Sequence, residues 1–206
     1  MFQKNIKVKI EKSIVFHLID CYENSAIYSE VSEEYQEMTE LMYALCEPAL
    51  FAEFGSYRGI PALMVLYSIG GRISSYATEC FCQGDYLKGM LANAMADAAL
   101  FSMENEVASC IKAMCRERGV GICRRLEAPR DIPMEDQELI LERTKAGERY
   151  GMRISSGYMI DPVKSNAIIY LLTPDQELFA YEHDCQNCSR LDCKTRNVLE
   201  NERNRE

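Results

Sequence analysis

Three cysteines near the end of the chain have the most chemically specific spacing in it. Cys185, Cys188 and Cys193 form C-x2-C-x4-C inside His183-Asp184-Cys185-Gln186-Asn187-Cys188-Ser189-Arg190-Leu191-Asp192-Cys193-Lys194. A Cys-x-x-Cys turn aims two sulfurs at one point, the geometry that zinc or an iron–sulfur cluster needs. Either centre requires a fourth ligand. His183 is the near candidate, and a thiolate from Cys80 or Cys82 the far one. The same spacing also admits a redox or disulfide pair between Cys185 and Cys188. Reduced thiols packed in a turn, with no ligand, are the plain alternative.

A second constellation is Arg124-Arg125-Leu126-Glu127-Ala128-Pro129-Arg130-Asp131-Ile132-Pro133. Charges on a proline-stiffened loop just after a strand suit an ordered binding loop, and suit a solvated connection equally well. A third segment, 154–162, carries Gly157-Tyr158 and Asp161-Pro162. It reads as loop-like, with a glycine and an aromatic of the kind that is usually buried.

Other chemistry is largely excluded. Two histidines, His17 and His183, leave few ways to build a Ser/His or Cys/His pair. No Gly-x-Ser-x-Gly elbow, phosphate-binding glycine loop or His-Glu-x-x-His helix is present, which argues against an independent hydrolase or transferase. With 23 basic against 32 acidic residues the net charge is −9, unfavourable for nucleic acid or an anionic membrane surface. The 206 residues, 48% apolar, can bury a real core. Ten cysteines would suit a secreted disulfide scaffold, but residues 1–10 are charged and lack an apolar signal core. The expectation is a cytoplasmic protein with mostly free thiols.

The elements that must position these residues follow from periodicity. Residues 5–10 alternate as a strand, and a short helix from Ser13 to Cys21 carries His17, read as a partner of a nearby backbone group. A helix from Ser32 carries Tyr35, Met38, Leu41, Met42 and Leu45 on one face and stops before Pro48. Residues 49–54 and 62–69 read as strands, joined by a turn around Gly55, Gly59 and Pro61. Helical segments follow from Ile73 and, capped by Asp85, over some thirty residues to Gly119, roughly 50 Å long. Its flank of Gly89, Ala92, Ala96 and Ala99 lets a neighbour approach closely. Residues 120–125 form a strand, 135–149 a polar helix and 165–172 an apolar strand, on which 177–181 pairs back. The predicted organisation is one domain over 1–196, with the cysteine motif at 183–196 and a polar tail over 197–206.

In this order the pieces resemble the activation domain of cobalamin-dependent methionine synthase, and more closely its stand-alone bacterial relatives. The match runs from about Glu47 to Arg196. It rests on the Pro48 strand, Ile69-Gly70-Gly71, the helix opening at Gly84-Asp85-Tyr86, the arginine–proline loop, the run from Gly157-Tyr158 to Pro162-Val163-Lys164-Ser165, and the terminal cysteines with Arg196. The resemblance implies an α+β fold with a twisted, mainly antiparallel sheet against long helices. It also implies S-adenosylmethionine binding in support of corrinoid reactivation or methyl transfer, with cobalamin carried by a partner, a corrinoid protein or cobalamin-dependent methyltransferase. The family's Arg-x-x-x-Gly-Tyr loop maps onto Arg124 or Arg125, with Ala128-Pro129 or Pro129-Arg130 where Gly-Tyr falls; Tyr158 matches a second family contact. The cysteine motif belongs to the stand-alone relatives. The alternative implied by the same residues is a metal-binding or redox protein that keeps the fold and has lost adenosylmethionine binding.

Overall fold

A computed structural model describes residues 1–4, 6–182 and 194. Its elements run β1 (Phe2–Lys4), α1 (Lys12–Leu18), α2 (Tyr28–Leu45), β2 (Ala49–Tyr57), β3 (Ile60–Ser68), α3 (Arg72–Gln83), α4 (Tyr86–Arg118), β4 (Gly121–Leu126), α5 (Asp136–Thr144), α6 (Ala146–Tyr150), β5 (Arg153–Ile154), β6 (Ile160–Asp161) and β7 (Ser165–Thr173). This is the expected α+β architecture: a five-stranded antiparallel sheet in the order β1-β2-β3-β7-β4, with long helices. Among the described residues no helix is long and apolar enough to cross a membrane.

The chain divides into two compact units. Met1–Val8, Glu47–Gly71 and Leu100–Glu182 form the first; Lys9–Cys46 and Arg72–Ala99 make up most of the second. In the first, β3 is buried along nearly its whole length because it is central in the sheet, as its unbroken apolar run requires. Strand alternation sends Ala49, Phe51, Ala62, Met64, Leu66, Leu126, Ala167 and Ile169 to one face, where they pack with Ile132, Ile140, Ala146 and Met152 from the following loop and helices. Leu63, Val65, Tyr67, Ile168 and Tyr170 are also buried and occupy the other face. The second half of α4 serves that face: Arg118 lies 4.5 Å over the Phe54 ring, and Glu104 reaches Arg125.

In the second unit α2 buries Val31, Tyr35, Met38 and Met42, a helical stripe, while Leu41 is exposed. Tyr35 donates its hydroxyl to Ile10 O at 2.6 Å and meets the Phe16 ring edge-on at 5.7 Å. Asp85 caps α4 as its sequence position suggests, accepting from Lys88 N at 3.2 Å. A Cβ on Gly89 would sit 2.7 Å from the Phe81 ring, so the small flank of α4 is used for close approach to α3.

Several boundaries differ from the sequence expectation. Residues 6–10 keep alternating burial at Ile6 and Ile10 but form no strand; the strand is β1, hydrogen-bonded to β2. The β2–β3 turn is Arg58-Gly59 alone, with φ of 50° and 81°, a two-residue loop whose twist matches the strands it joins. Gly55 and Pro61 are strand residues. The helix expected over 135–149 is two helices, broken where Lys145 adopts φ 55°. Residues 177–181 pair with the outer edge of β4, not with β7: Phe179 bridges Ile122 in parallel. The central place of β7, between β3 and β4, leaves it no open edge for that segment.

Candidate functional site

The two candidate arginines are neighbours on β4, and a strand sends neighbours to opposite faces. Arg125 stands opposite Tyr170, Arg124 opposite Leu171. Arg125 therefore enters the face served by α4. Its side chain is only 5% exposed and is clamped by carboxylates: Nη1 donates to Glu104, Nη2 to Glu127 Oε1 at 2.8 Å, and Nη1 also to Tyr181 O at 3.0 Å. Its Nε, buried, has no partner among the described residues. Burial works against the charge, but Tyr170 and the Glu104 and Glu127 carboxylates outweigh it and hold the guanidinium firmly protonated. Burial raises the hydroxyls of Tyr67 and Tyr170 well above the usual phenol range.

Arg124 faces the other way, toward the loop that follows β4, and its side chain is 64% exposed. Its Nη2 lies 3.6 Å from Asp131 Oδ1. Asp131 is the knot of this loop. Its Oδ2 accepts from Arg130 Nε at 3.0 Å and from Glu127 N at 3.2 Å, while its own N donates to Glu127 O at 2.8 Å. Pro129, exposed, lies within the turn so closed, after a cis Ala128-Pro129 peptide.

The far end of the loop meets Tyr158. Gln137, in the first turn of α5, donates from Nε2 to Tyr158 O at 2.8 Å and lies 3.5 Å from Met134 Sδ. Tyr158 is half-buried in a turn, with φ 59° and its N bonded to Ser155 O at 2.9 Å. The hairpin tip reaches the same helix start: Tyr57 donates its hydroxyl to Asp136 Oδ2 at 2.5 Å, and Arg58 lies 3.5 Å from that carboxylate. Burial, and then the Asp136 carboxylate beside it, push the Tyr57 hydroxyl up to about 12. Arg124 and Pro129 thus share one end of the loop, Tyr158 is fastened at its other end, and Arg125 stands apart behind the sheet.

His183, Cys185, Cys188 and Cys193 lie outside the described residues. Among the described residues no group of His, Cys, Asp and Glu could hold a metal. Cys80 is buried and Cys82 exposed on α3. Lys194, next after Cys193 in sequence, bonds through Nζ to Leu18 O at 3.0 Å and to Asp20 Oδ2 at 2.5 Å. His17 Nε2 is 3.0 Å from Lys194 O, so its backbone partner is distant in sequence, not local.

Sequence reasoning missed Glu104 and Gln137, and placed Glu127 and Asp131 in the loop without assigning them a role. One signal was available: Glu104 interrupts an apolar helical face, three residues after Phe101 and three before Val107. An acid there requires a cation from the surface it packs on.

No protein-family model matches the sequence, and no curated protein matches it. Among solved structures, the fold is that of the MetH reactivation domain, in a crystal structure of that domain bound to AdoHcy. The likeness has a TM-score of 0.57 at 12% identity and covers 98% of this chain and 88% of that one.

Proposed function

We propose that the protein is an accessory to corrinoid-dependent methyl transfer or corrinoid reactivation, binding an S-adenosyl ligand beside the loop that follows β4. The observation that carries this reading is the likeness, over nearly the whole chain, to a reactivation domain bound to AdoHcy. The exposed Arg124 suits it, since a guanidinium with an open side can take the ligand carboxylate in a two-pronged pair. Pro129 stiffens the loop between the two contacts, and Tyr158 offers a half-buried ring for the adenosyl part. In this proposal Arg125 supports the loop from behind, because it is buried and its Nη groups are engaged by Glu104, Glu127 and Tyr181. Cobalamin enters only on a partner, a corrinoid protein or cobalamin-dependent methyltransferase, and the proposed setting is the cytoplasm. The Cys185, Cys188, Cys193 and His183 set is proposed to hold zinc or an iron–sulfur cluster.

The test is calorimetry with adenosylhomocysteine (AdoHcy) on the whole chain. One-to-one binding is expected, with loss of affinity in Arg124→Ala and Tyr158→Ala. Anaerobic pull-down should then recover a corrinoid protein, and metal and sulfide assays should find a stoichiometric centre.

A second reading is a metal-binding or redox protein that has lost the ligand. It is favoured by Ala128-Pro129 standing where the resembling family has Gly-Tyr. Silent calorimetry together with one metal centre per chain would select it.

A further inference from the structure

Resting on the reading that Arg124 meets a ligand, we propose that Arg125 couples the loop after β4 to the segment 175–181, which leads the chain toward the cysteine motif. That segment lies along the outer edge of β4. Ile122 N donates to Leu178 O at 2.7 Å, and Ala180 N to Ile122 O at 2.9 Å. Gly121 lets the backbone come this near, since a Cβ there would fall 2.0 Å from Asp175 O. Lys112 Nζ sits 5.2 Å from the Phe179 ring centroid. Beyond the last of these backbone bonds, the Tyr181 carbonyl is held by the Arg125 guanidinium at 3.0 Å.

The same guanidinium opens a line of contacts in the other direction. Arg125 Nη2 holds Glu127 Oε1 at 2.8 Å; the Glu127 backbone exchanges bonds of 3.2 and 2.8 Å with Asp131; Asp131 Oδ1 is 3.6 Å from Arg124 Nη2. Polar contacts therefore run unbroken from the Tyr181 carbonyl to an exposed arginine at the loop's open side. Glu104, on α4, pins the middle. A guanidinium this buried, with Nε already unpartnered, cannot replace a lost contact with water. A change at Glu127 must redistribute its donors among Glu104, Glu127 and Tyr181. A ligand carboxylate on Arg124 competes with Asp131 for that cation and so acts on the first link. By linkage, whatever the ligand does to the hold on 175–181, that hold does to the ligand.

The experiment is amide hydrogen exchange of the whole chain, timed by mass spectrometry, with peptides covering 175–181 as reporters and peptides of the buried strand β3 as the internal reference. Without ligand, Arg124→Ala and Glu127→Gln should each change the reporters' rates about fivefold relative to β3, the low end of couplings between sites. Arg124→Ala alters an exposed side chain, so its result does not depend on a marginal fold. Saturating AdoHcy should change the wild-type rates by a similar factor, and Glu127→Gln should erase that response. Wild-type rates in both ligand-free variants would overturn the coupling whether or not AdoHcy binds. Calorimetric binding with unaltered reporter rates would overturn it too. If AdoHcy fails to bind while both variants still shift the reporters, the coupling stands and the ligand reading falls.

Discussion

The two faces of β4 use the same residue type in opposite ways. Behind the sheet, Arg125 is enclosed, held by two carboxylates and a carbonyl, and its charge is consumed by the fold. In front, Arg124 keeps a solvent-facing guanidinium with, among the described residues, the Asp131 carboxylate 3.6 Å away. The difference teaches that charge alone does not nominate a binding residue; an open side is needed as well. A cation enclosed on all sides is out of a ligand's reach even with one N–H left over, whereas one exposed at an ordered loop is within it.

The comparison breaks most decisively at Arg125. Replacing it by Met strands Glu104 and Glu127 beside an apolar face, and chemical denaturation followed by circular dichroism should show a loss of about 3 kcal/mol. A near-neutral result would mean that the carboxylates find water and that the enclosure is not what fixes Arg125. Next in size is Gly121→Ala. The atoms its Cβ would strike are backbone carbonyls of Asp175 and Leu178, at 2.0 and 2.5 Å, so neither can swing aside. A cost of about 2 kcal/mol is expected, and limited proteolysis should cut within 174–181 in the variant before it cuts there in the wild type.

Arg124→Ala sharpens the contrast from the other face. Melting should be nearly unchanged, since an exposed ion pair contributes little, while AdoHcy affinity should fall about tenfold, or ~1.4 kcal/mol. Equal affinity in variant and wild type would remove Arg124 from the site.

The smallest effect concerns pH. Because the Tyr57 hydroxyl is pushed up to about 12 when folded, from 10 for the free phenol, the folded state holds that proton more tightly. Its contribution is intact below pH ~10 and is lost as pH rises to about 12. Tyr67 and Tyr170, also raised, add to the same alkaline loss. The melting temperature of Tyr57→Phe should therefore fall less steeply than that of wild type across this range.

The α+β class was an implication of the family resemblance; the central apolar strand, the Asp85 cap and the long small-flanked helix were legible in the residues themselves. Each depends on local periodicity or on one capping side chain, and such signals act within a few residues. Which of Arg124 and Arg125 faces solvent was not legible. A strand pattern fixes that they differ but not which face is covered, and the covering helix supplies Glu104 from twenty-one residues away. The same limit misplaced 177–181 on β7. Apolar alternation declares a strand-like segment, but only the finished order β3-β7-β4 closes both edges of β7 and leaves an edge of β4 open beside it. Sequence alone set what each segment could become; the packing of distant segments decided which arginine was enclosed by the fold and which was left exposed.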